Sequence, residues 1–134
     1  MNLKDLKVLT KTVTAEFPGL EGFEVKVAFV SREASTKLRE AATVTKIDSK
    51  LKMPVQELDQ DIFIEKFVAS AIKGWTGFKY KYLSDLMLVD LSSVEDTEKE
   101  LEFTLENAVE LLKGSQAFDT WINEVIFDLE RFRD

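Results

Sequence analysis

Two kinds of spacing separate the apolar positions of this chain. In residues 23–30, "FEVKVAFV", apolar residues alternate with Glu24 and Lys26, which is the period of a half-buried β-strand. Elsewhere the apolar residues recur every three or four positions, as in amphipathic helices. The pattern therefore predicts a mainly α-helical fold with at most one short β element, near residues 23–30. Its partner strand could come from the N-terminal segment or from another subunit.

Three helices are predicted in the first half of the chain. In the N-terminal segment, 1–22, a helix over 2–15 is stopped by "FPGLEG" and has apolar residues at helical spacing, Leu3, Leu6, Leu9 and Val13. Ser31 is typical of the N-cap of a second helix, and a third is expected over 58–73, ended by Gly74. Between these two, residues 46–57 contain Pro54 and three lysines, and we interpret them as a mobile connector.

Residues 100–133 predict a helical hairpin at the end of a single domain, 1–134. Thr104 and Ser115 can each cap a helix, and Gly114 fits the left-handed position that often ends one. The first helix would turn Leu105, Ala108, Val109 and Leu112 inward. The second would present one apolar stripe, Phe118, Trp121, Ile122, Val125, Leu129 and Phe132. We predict that the structural anchors of the core are Trp75 and five residues of this stripe, Phe118, Trp121, Ile122, Val125 and Leu129.

Composition excludes several kinds of chemistry. The 134 residues include no cysteine and no histidine, so thiol nucleophiles, thiolate metal sites and imidazole catalysis are absent. No glycine-rich phosphate loop or nucleophile motif is present. We therefore expect a protein that is not an enzyme and has no cofactor or metal. No apolar run approaches a membrane span and the first residues lack a signal-type apolar block, which predicts no membrane association and a cytoplasmic location.

Charge is concentrated in one part of the chain. The net charge is −7, and residues 85–110 hold nine acids against one base, Lys99, which amounts to −8. Because nucleic-acid binding normally needs a basic face, we predict no nucleic-acid partner. The acidic segment is either a solvated face or an imitation of DNA phosphates. In the second case the chain would be a regulator that blocks a nucleic-acid-binding protein.

Two sets of apolar residues are candidates for contact with another protein. If residues 74–83, "GWTGFKYKYL", are extended, Phe78, Tyr80 and Tyr82 share one side. Ile126 and Phe127 widen the apolar surface of the last helix beyond a single face. Large aromatic side chains are favoured anchors in protein interfaces because they cover much area at little entropic cost. We hypothesise that these five residues form interaction surfaces.

Three segments resemble the tail assembly chaperones of long-tailed, lambda-like bacteriophages. They are "FVSREASTKLREA", "FIEKFVASAIKGWTG" and "FTLENAVELLKGSQAFDTWINEVIFDLERF", within residues 27–133. The third is the most specific, since it pairs an ENAxELL helix with an FxxW…F helix. All three segments are made of helix caps and apolar spacing, so the resemblance transfers no individual functional residue.

The resemblance implies a role in virion morphogenesis without catalysis. Such chaperones bind the tape measure protein, keep its helical stretches soluble and help to recruit the tail tube protein. They self-associate around their client and are absent from the finished particle. Many members also have a longer, frameshifted form. This chain ends in "FRD" and is similar to the short form without the frameshift.

Overall fold

The computed structural model describes residues 1–8 and 10–133, which form helices and strands in comparable number. The six α-helices are α1 (Leu3–Leu6), α2 (Arg32–Ala41), α3 (Gln60–Ala71), α4 (Leu83–Leu86), α5 (Leu105–Gly114) and α6 (Gln116–Ile126). Two 3₁₀ helices cover Tyr80–Tyr82 and Leu129–Phe132. The five strands are β1 (Thr12–Glu16), β2 (Glu24–Ala28), β3 (Thr43–Ile47), β4 (Pro54–Leu58) and β5 (Ile72–Thr76).

The fold is therefore mixed α/β, with strands in two antiparallel sheets. The prediction of a mainly helical, all-α protein with at most one short β element was wrong. No helix in the described part of the chain combines the length and the hydropathy that crossing a membrane requires.

The strand predicted near residues 23–30 is the middle of the larger sheet. The order is β1-β2-β5, with Val13 opposite Val27 and Val25 opposite Trp75. Val25 and Val27 are buried, whereas Glu24 and Lys26 are exposed, as the alternation of the sequence predicts. Both partners of β2 come from the same chain, so no second subunit is needed to complete this sheet.

The N-terminal segment differs from its prediction. The helix expected over 2–15 is limited to α1, and Thr12–Glu16 forms β1. β-Branched residues at 12–14, "TVT", fit a pleated surface better than a helix. Leu9, one position of the predicted helical stripe, lies outside the described residues.

The junction after α3 also differs. Asp59 caps α3, its Oδ1 accepting a hydrogen bond from the Ile62 backbone N–H at 3.1 Å. The helix ends at Ala71, and β5 begins at the next residue. Gly74 lies within β5, so it does not end the helix as predicted. Pairing with β2 determines this conformation, which helical spacing alone could not indicate.

Residues 43–58 form a two-stranded hairpin, with β3 and β4 paired only to each other. Thr43 lies opposite Leu58, and Ile47 lies opposite Pro54. Pro54 is the first residue of its strand, a position where a missing N–H is tolerated. Residues 46–57 were interpreted as a connector without regular secondary structure, which was wrong. That this segment is mobile stays a prediction.

The C-terminal helices begin at the predicted caps. Thr104 Oγ1 accepts a hydrogen bond from the Asn107 N–H at 3.0 Å, and Ser115 Oγ accepts one from the Phe118 N–H at 3.1 Å. Ser115 also ends α5, and Gly114 is helical, so the predicted left-handed glycine was wrong. Leu105, predicted to point inward, is half-exposed.

The apolar stripe of the last helix breaks where α6 ends at Ile126. Leu129, predicted as a structural anchor, is exposed because the chain turns before it. Phe132 is buried and its ring lies 5.2 Å from that of Phe29. The other predicted anchors are all buried, namely Trp75, Phe118, Trp121, Ile122 and Val125.

Aromatic rings fill the centre of the core, between the sheet and the helices. The Phe23 ring stacks on that of Phe78 with centroids 4.2 Å apart, and the Trp75 ring meets both edge-on. α3 and α6 contact β2, and α5 packs against both helices. The helices thus cover the face of the sheet that carries Val25 and Val27, and they create the groove described next.

Candidate protein-binding groove

A groove of about 410 Å³ lies between α2, α3, α5 and the end of α6. Its apolar lining comes mainly from α3 and from the residue that follows α6. The side chains that matter below are Arg39, Phe63, Ile64, Phe67, Leu112 and Phe127. The volume falls in the range of about 300–1,000 Å³ that is typical of binding sites in proteins.

A row of three phenylalanine rings runs along this groove. The ring centroids of Phe127 and Phe67 are 6.2 Å apart, and those of Phe67 and Phe63 are 6.0 Å apart. The guanidinium carbon of Arg39 lies 5.9 Å from the centroid of Phe63. Phe67, in the middle of the row, is buried, whereas Phe63 is half-buried and Phe127 is exposed, so both ends of the row are more accessible than its centre.

Local structure explains how the row is built. Phe63 and Phe67 are four residues apart on α3, which puts them on the same face of the helix. Phe127 is the first residue after α6, and its N–H donates to the carbonyl oxygen of Asn123 at 3.1 Å. The α6 helix therefore ends with an aromatic side chain laid across the groove.

Polar groups surround the apolar lining. Lys113 Nζ lies 3.0 Å from Asp61 Oδ1, and this hydrogen bond raises the pKa of Lys113. Asn123 Nδ2 donates to Asp119 Oδ1 at 2.9 Å. Arg39 forms no salt bridge with any described residue. An apolar floor with a few polar groups at its edge is the usual composition of a surface that receives another protein.

The structure places the five predicted interaction residues in different environments. Phe127 lies in the groove and is exposed. Ile126 and Phe78 are fully buried, so the hypothesis that they contact a partner was wrong. Phe78 belongs to the stack around Phe23, and its replacement would test folding and not binding.

Tyr80 and Tyr82 are half-buried and lie in a 3₁₀ helix, not in an extended segment. Tyr82 Oη donates to the carbonyl oxygen of Glu21 at 2.6 Å, and the Tyr80 N–H donates to that of Lys99 at 2.9 Å. These tyrosines join separate parts of the chain, and they form no common surface with Phe78. The predicted aromatic patch is therefore not present.

Most of the groove is lined by residues that were not predicted from the sequence to be functional. Phe63 and Phe67 fall within the third predicted helix, but neither they nor Arg39 were among the residues selected for interaction. The i, i+4 spacing of the two phenylalanines was a visible signal. The sequence did not indicate that α2 would leave part of the apolar face of α3 uncovered.

The nine acids of residues 85–110 are all exposed. Glu98 is held by Lys79 at 3.0 Å and by Lys81 at 2.6 Å, and Glu100 Oε1 accepts a hydrogen bond from the Gly77 N–H. The other seven form no salt bridge with a described residue. We call these nine side chains the acidic surface.

The carboxyl groups with displaced pKa values are all more acidic than usual. Hydrogen bonds from Lys7, from the Ser92 N–H and from Lys81 lower the pKa values of Glu33, Asp90 and Glu98, in that order. Within residues 1–8 and 10–133, no three acidic side chains lie close enough together to hold a metal ion.

Comparisons with models of protein families, with curated proteins and with solved structures found no match to this chain.

Proposed function

We propose that this chain is a tail assembly chaperone of a long-tailed bacteriophage, and that it works by binding without catalysis. Its groove would hold amphipathic helical segments of the tape measure protein and keep them soluble in the host cytoplasm. It would also help to recruit tail tube subunits and then be released, so that it is absent from the virion. The observation that supports this most is the row of rings that ends at exposed Phe127.

The dimensions of the row suit a helix. The ring spacings of 6.0 and 6.2 Å are each close to the pitch of an α-helix, about 5.4 Å. A client helix could therefore place apolar residues about two turns apart, at i and i+7, on the accessible rings of Phe63 and Phe127, as a helix in a groove commonly does. Lys113 with Asp61 and Asn123 with Asp119 lie at the edges, where a client helix has its polar side chains.

A single small groove also suits a chaperone. One short groove gives modest affinity, whereas many copies along one long client bind strongly together through avidity. Each contact can still be broken when a tube subunit arrives. Self-association of the chain would add to this effect, because it would present several grooves in succession.

The experiment measures binding of a tape measure segment that contains an amphipathic helix. In Phe127→Ala we expect at least a tenfold weaker interaction, because an aromatic anchor of an interface contributes more than about 1.4 kcal/mol. Leu129→Ala is the matched control, since Leu129 is 53% exposed and Phe127 46%, and Leu129 lies outside the groove. Equal affinities of the two variants would contradict the proposal.

The salt dependence of binding separates this function from the acidic regulator. Apolar contacts in the groove should weaken little between low and high ionic strength. A partner that normally binds nucleic acid would be lost steeply, because its contact with the acidic surface is screened. A steep loss together with insensitivity to Phe127→Ala would favour the regulator.

A further inference from the structure

The turn of the β3–β4 hairpin carries apolar side chains that the described fold leaves uncovered. We call residues 46–53, "KIDSKLKM", the hairpin tip. Ile47, Leu51 and Met53 are 79%, 64% and 53% exposed. Single exposed apolar residues are common on protein surfaces, but three large ones within one exposed turn indicate an interaction surface.

Polar backbone contacts fix the shape of the tip without help from these side chains. Asp48 Oδ1 accepts hydrogen bonds from the N–H groups of Lys50 at 2.8 Å and Leu51 at 2.9 Å. The Asp48 N–H donates to the carbonyl oxygen of Met53 at 3.0 Å. These three hydrogen bonds define the conformation of the turn. Its apolar groups are free to contact something else.

The charge of the tip indicates what it contacts. Lys46 is paired with Glu57 at 3.2 Å, but Lys50 and Lys52 form no salt bridge with any described residue. On a chain whose net charge is −7, this is a small basic and apolar surface. Two tips facing each other would bring like charges together, so a symmetric contact between tips is unfavourable. A complementary partner for the tip is an acidic surface that also exposes apolar groups.

The same chain has such a surface. Eight of the nine carboxylates of the acidic surface lie outside any salt bridge among the described residues. Leu88 is fully exposed and Leu105 is half-exposed in the same segment. Residues 46–53 are thus basic and residues 85–110 are acidic, and both segments expose apolar side chains.

We propose that the hairpin tip of one copy binds the acidic surface of a second copy. Lys50 and Lys52 meet carboxylates, and Leu51 and Met53 cover exposed leucines. Because different surfaces of the two copies meet, each pair of copies keeps one free tip and one free acidic surface, so the same contact repeats and builds longer assemblies. This contact involves no part of the groove; it would supply the self-association invoked in the proposed function, but it does not rest on the binding of a client.

The first test is sedimentation velocity over a concentration series. We expect the mean mass of the wild-type chain to increase with concentration and not to stop at a dimer. The increase should be smaller at high salt, because exposed charges are screened. A wild-type chain that stays monomeric at every concentration would overturn the proposal.

Charge reversal gives a sharper test. Lys50→Glu/Lys52→Glu should abolish the increase in mass, and so should Glu102→Lys/Glu106→Lys. An equimolar mixture of the two variants should regain it, since each reversed tip then meets a reversed surface. Lys26→Glu/Lys66→Glu is the control for the first variant, because it changes the net charge equally at exposed sites elsewhere.

Each other outcome argues against the contact. Loss of association in the control to the same extent would assign the effect to net charge. Failure of the mixture, with each variant folded by circular dichroism, would exclude the pairing of tip with acidic surface. Binding of a monomeric wild-type chain to phosphatidylserine vesicles, lost in Lys50→Glu/Lys52→Glu, would assign the tip to a membrane surface instead.

Discussion

Two groups of aromatic rings in this protein differ in what covers them. The rings around Phe23, which include Phe78 and Trp75, are sealed between the sheet and the helices. The row Phe63, Phe67 and Phe127 has one buried ring in its middle and more accessible rings at both ends. The adjacent residues Ile126 and Phe127 belong to different environments, since the first is buried and the second is exposed. Aromatic content alone therefore does not distinguish a core from a binding surface.

Phe23→Ala should have the largest effect on stability. The ring is fully buried and lies next to four other aromatic rings, so its removal leaves a large cavity. We expect the free energy of unfolding to decrease by about 3–5 kcal/mol, as for other buried phenylalanines. Urea denaturation followed by circular dichroism measures this loss. A decrease below about 1 kcal/mol would mean that this group is not the core.

Gly77→Ala should be the next most harmful change. Gly77 has φ +70°, and a Cβ there would collide with the backbone carbonyl of Gly22. The left-handed conformation alone costs a residue with a side chain about 1–3 kcal/mol, and the collision adds to this. Gly74→Ala is the control, because Gly74 has ordinary φ and no atom within 4 Å of the added Cβ. Thermal unfolding of both variants should give a clearly lower midpoint for Gly77→Ala only.

Phe127→Ala should separate stability from binding. Since this ring is exposed, we expect the free energy of unfolding to change by less than about 1 kcal/mol. The same variant should bind the client at least tenfold more weakly. A loss of stability comparable to that of Phe23→Ala would remove the difference between the two groups of rings and make the groove part of the core.

Glu98→Gln should have the smallest effect on stability. This effect should be seen near neutral pH and should be absent at acidic pH. Lys81 and Lys79 lower the pKa of Glu98, so its contribution to stability is present above the pKa of the unfolded chain and is lost as the pH falls through the lower folded value. The side chain is exposed, so we expect a slight decrease of the melting midpoint at pH 7 that fades with acid and with salt. An unchanged difference between the proteins at pH 2 and pH 7 would contradict this assignment.

The sequence allowed prediction of elements whose signals are local. Ser31, Thr104 and Ser115 cap helices as their side chains and positions indicate. The alternation around Val25 and Val27 identified β2 because only one face of that strand is buried. The strands β1 and β5 depend on pairing with β2, and a pairing partner distant in sequence overrides local spacing.

The candidate site was only partly predictable for a related reason. Phe127 was selected because it lies outside the apolar stripe of the last helix, and it is exposed. The same reasoning selected Ile126, which the fold buries. Phe78 was expected beside Tyr80 and Tyr82 on an extended segment, but the turn at Gly77 and the following 3₁₀ helix direct these rings differently. The exposure of a residue depends on which other parts of the chain pack against it. The spacing of apolar residues along the sequence gives no information about this.

The central claim is that the groove between α2, α3, α5 and α6 receives a helix. The most direct measurement is an amide NMR titration of the isotope-labelled chain with a peptide spanning an amphipathic helix of a tape measure protein. We predict that the largest shift changes surround Phe63, Phe67 and Phe127, and that they vanish in Phe127→Ala. Changes confined to residues 85–110 or to the hairpin tip, with the groove unaffected, would contradict the claim.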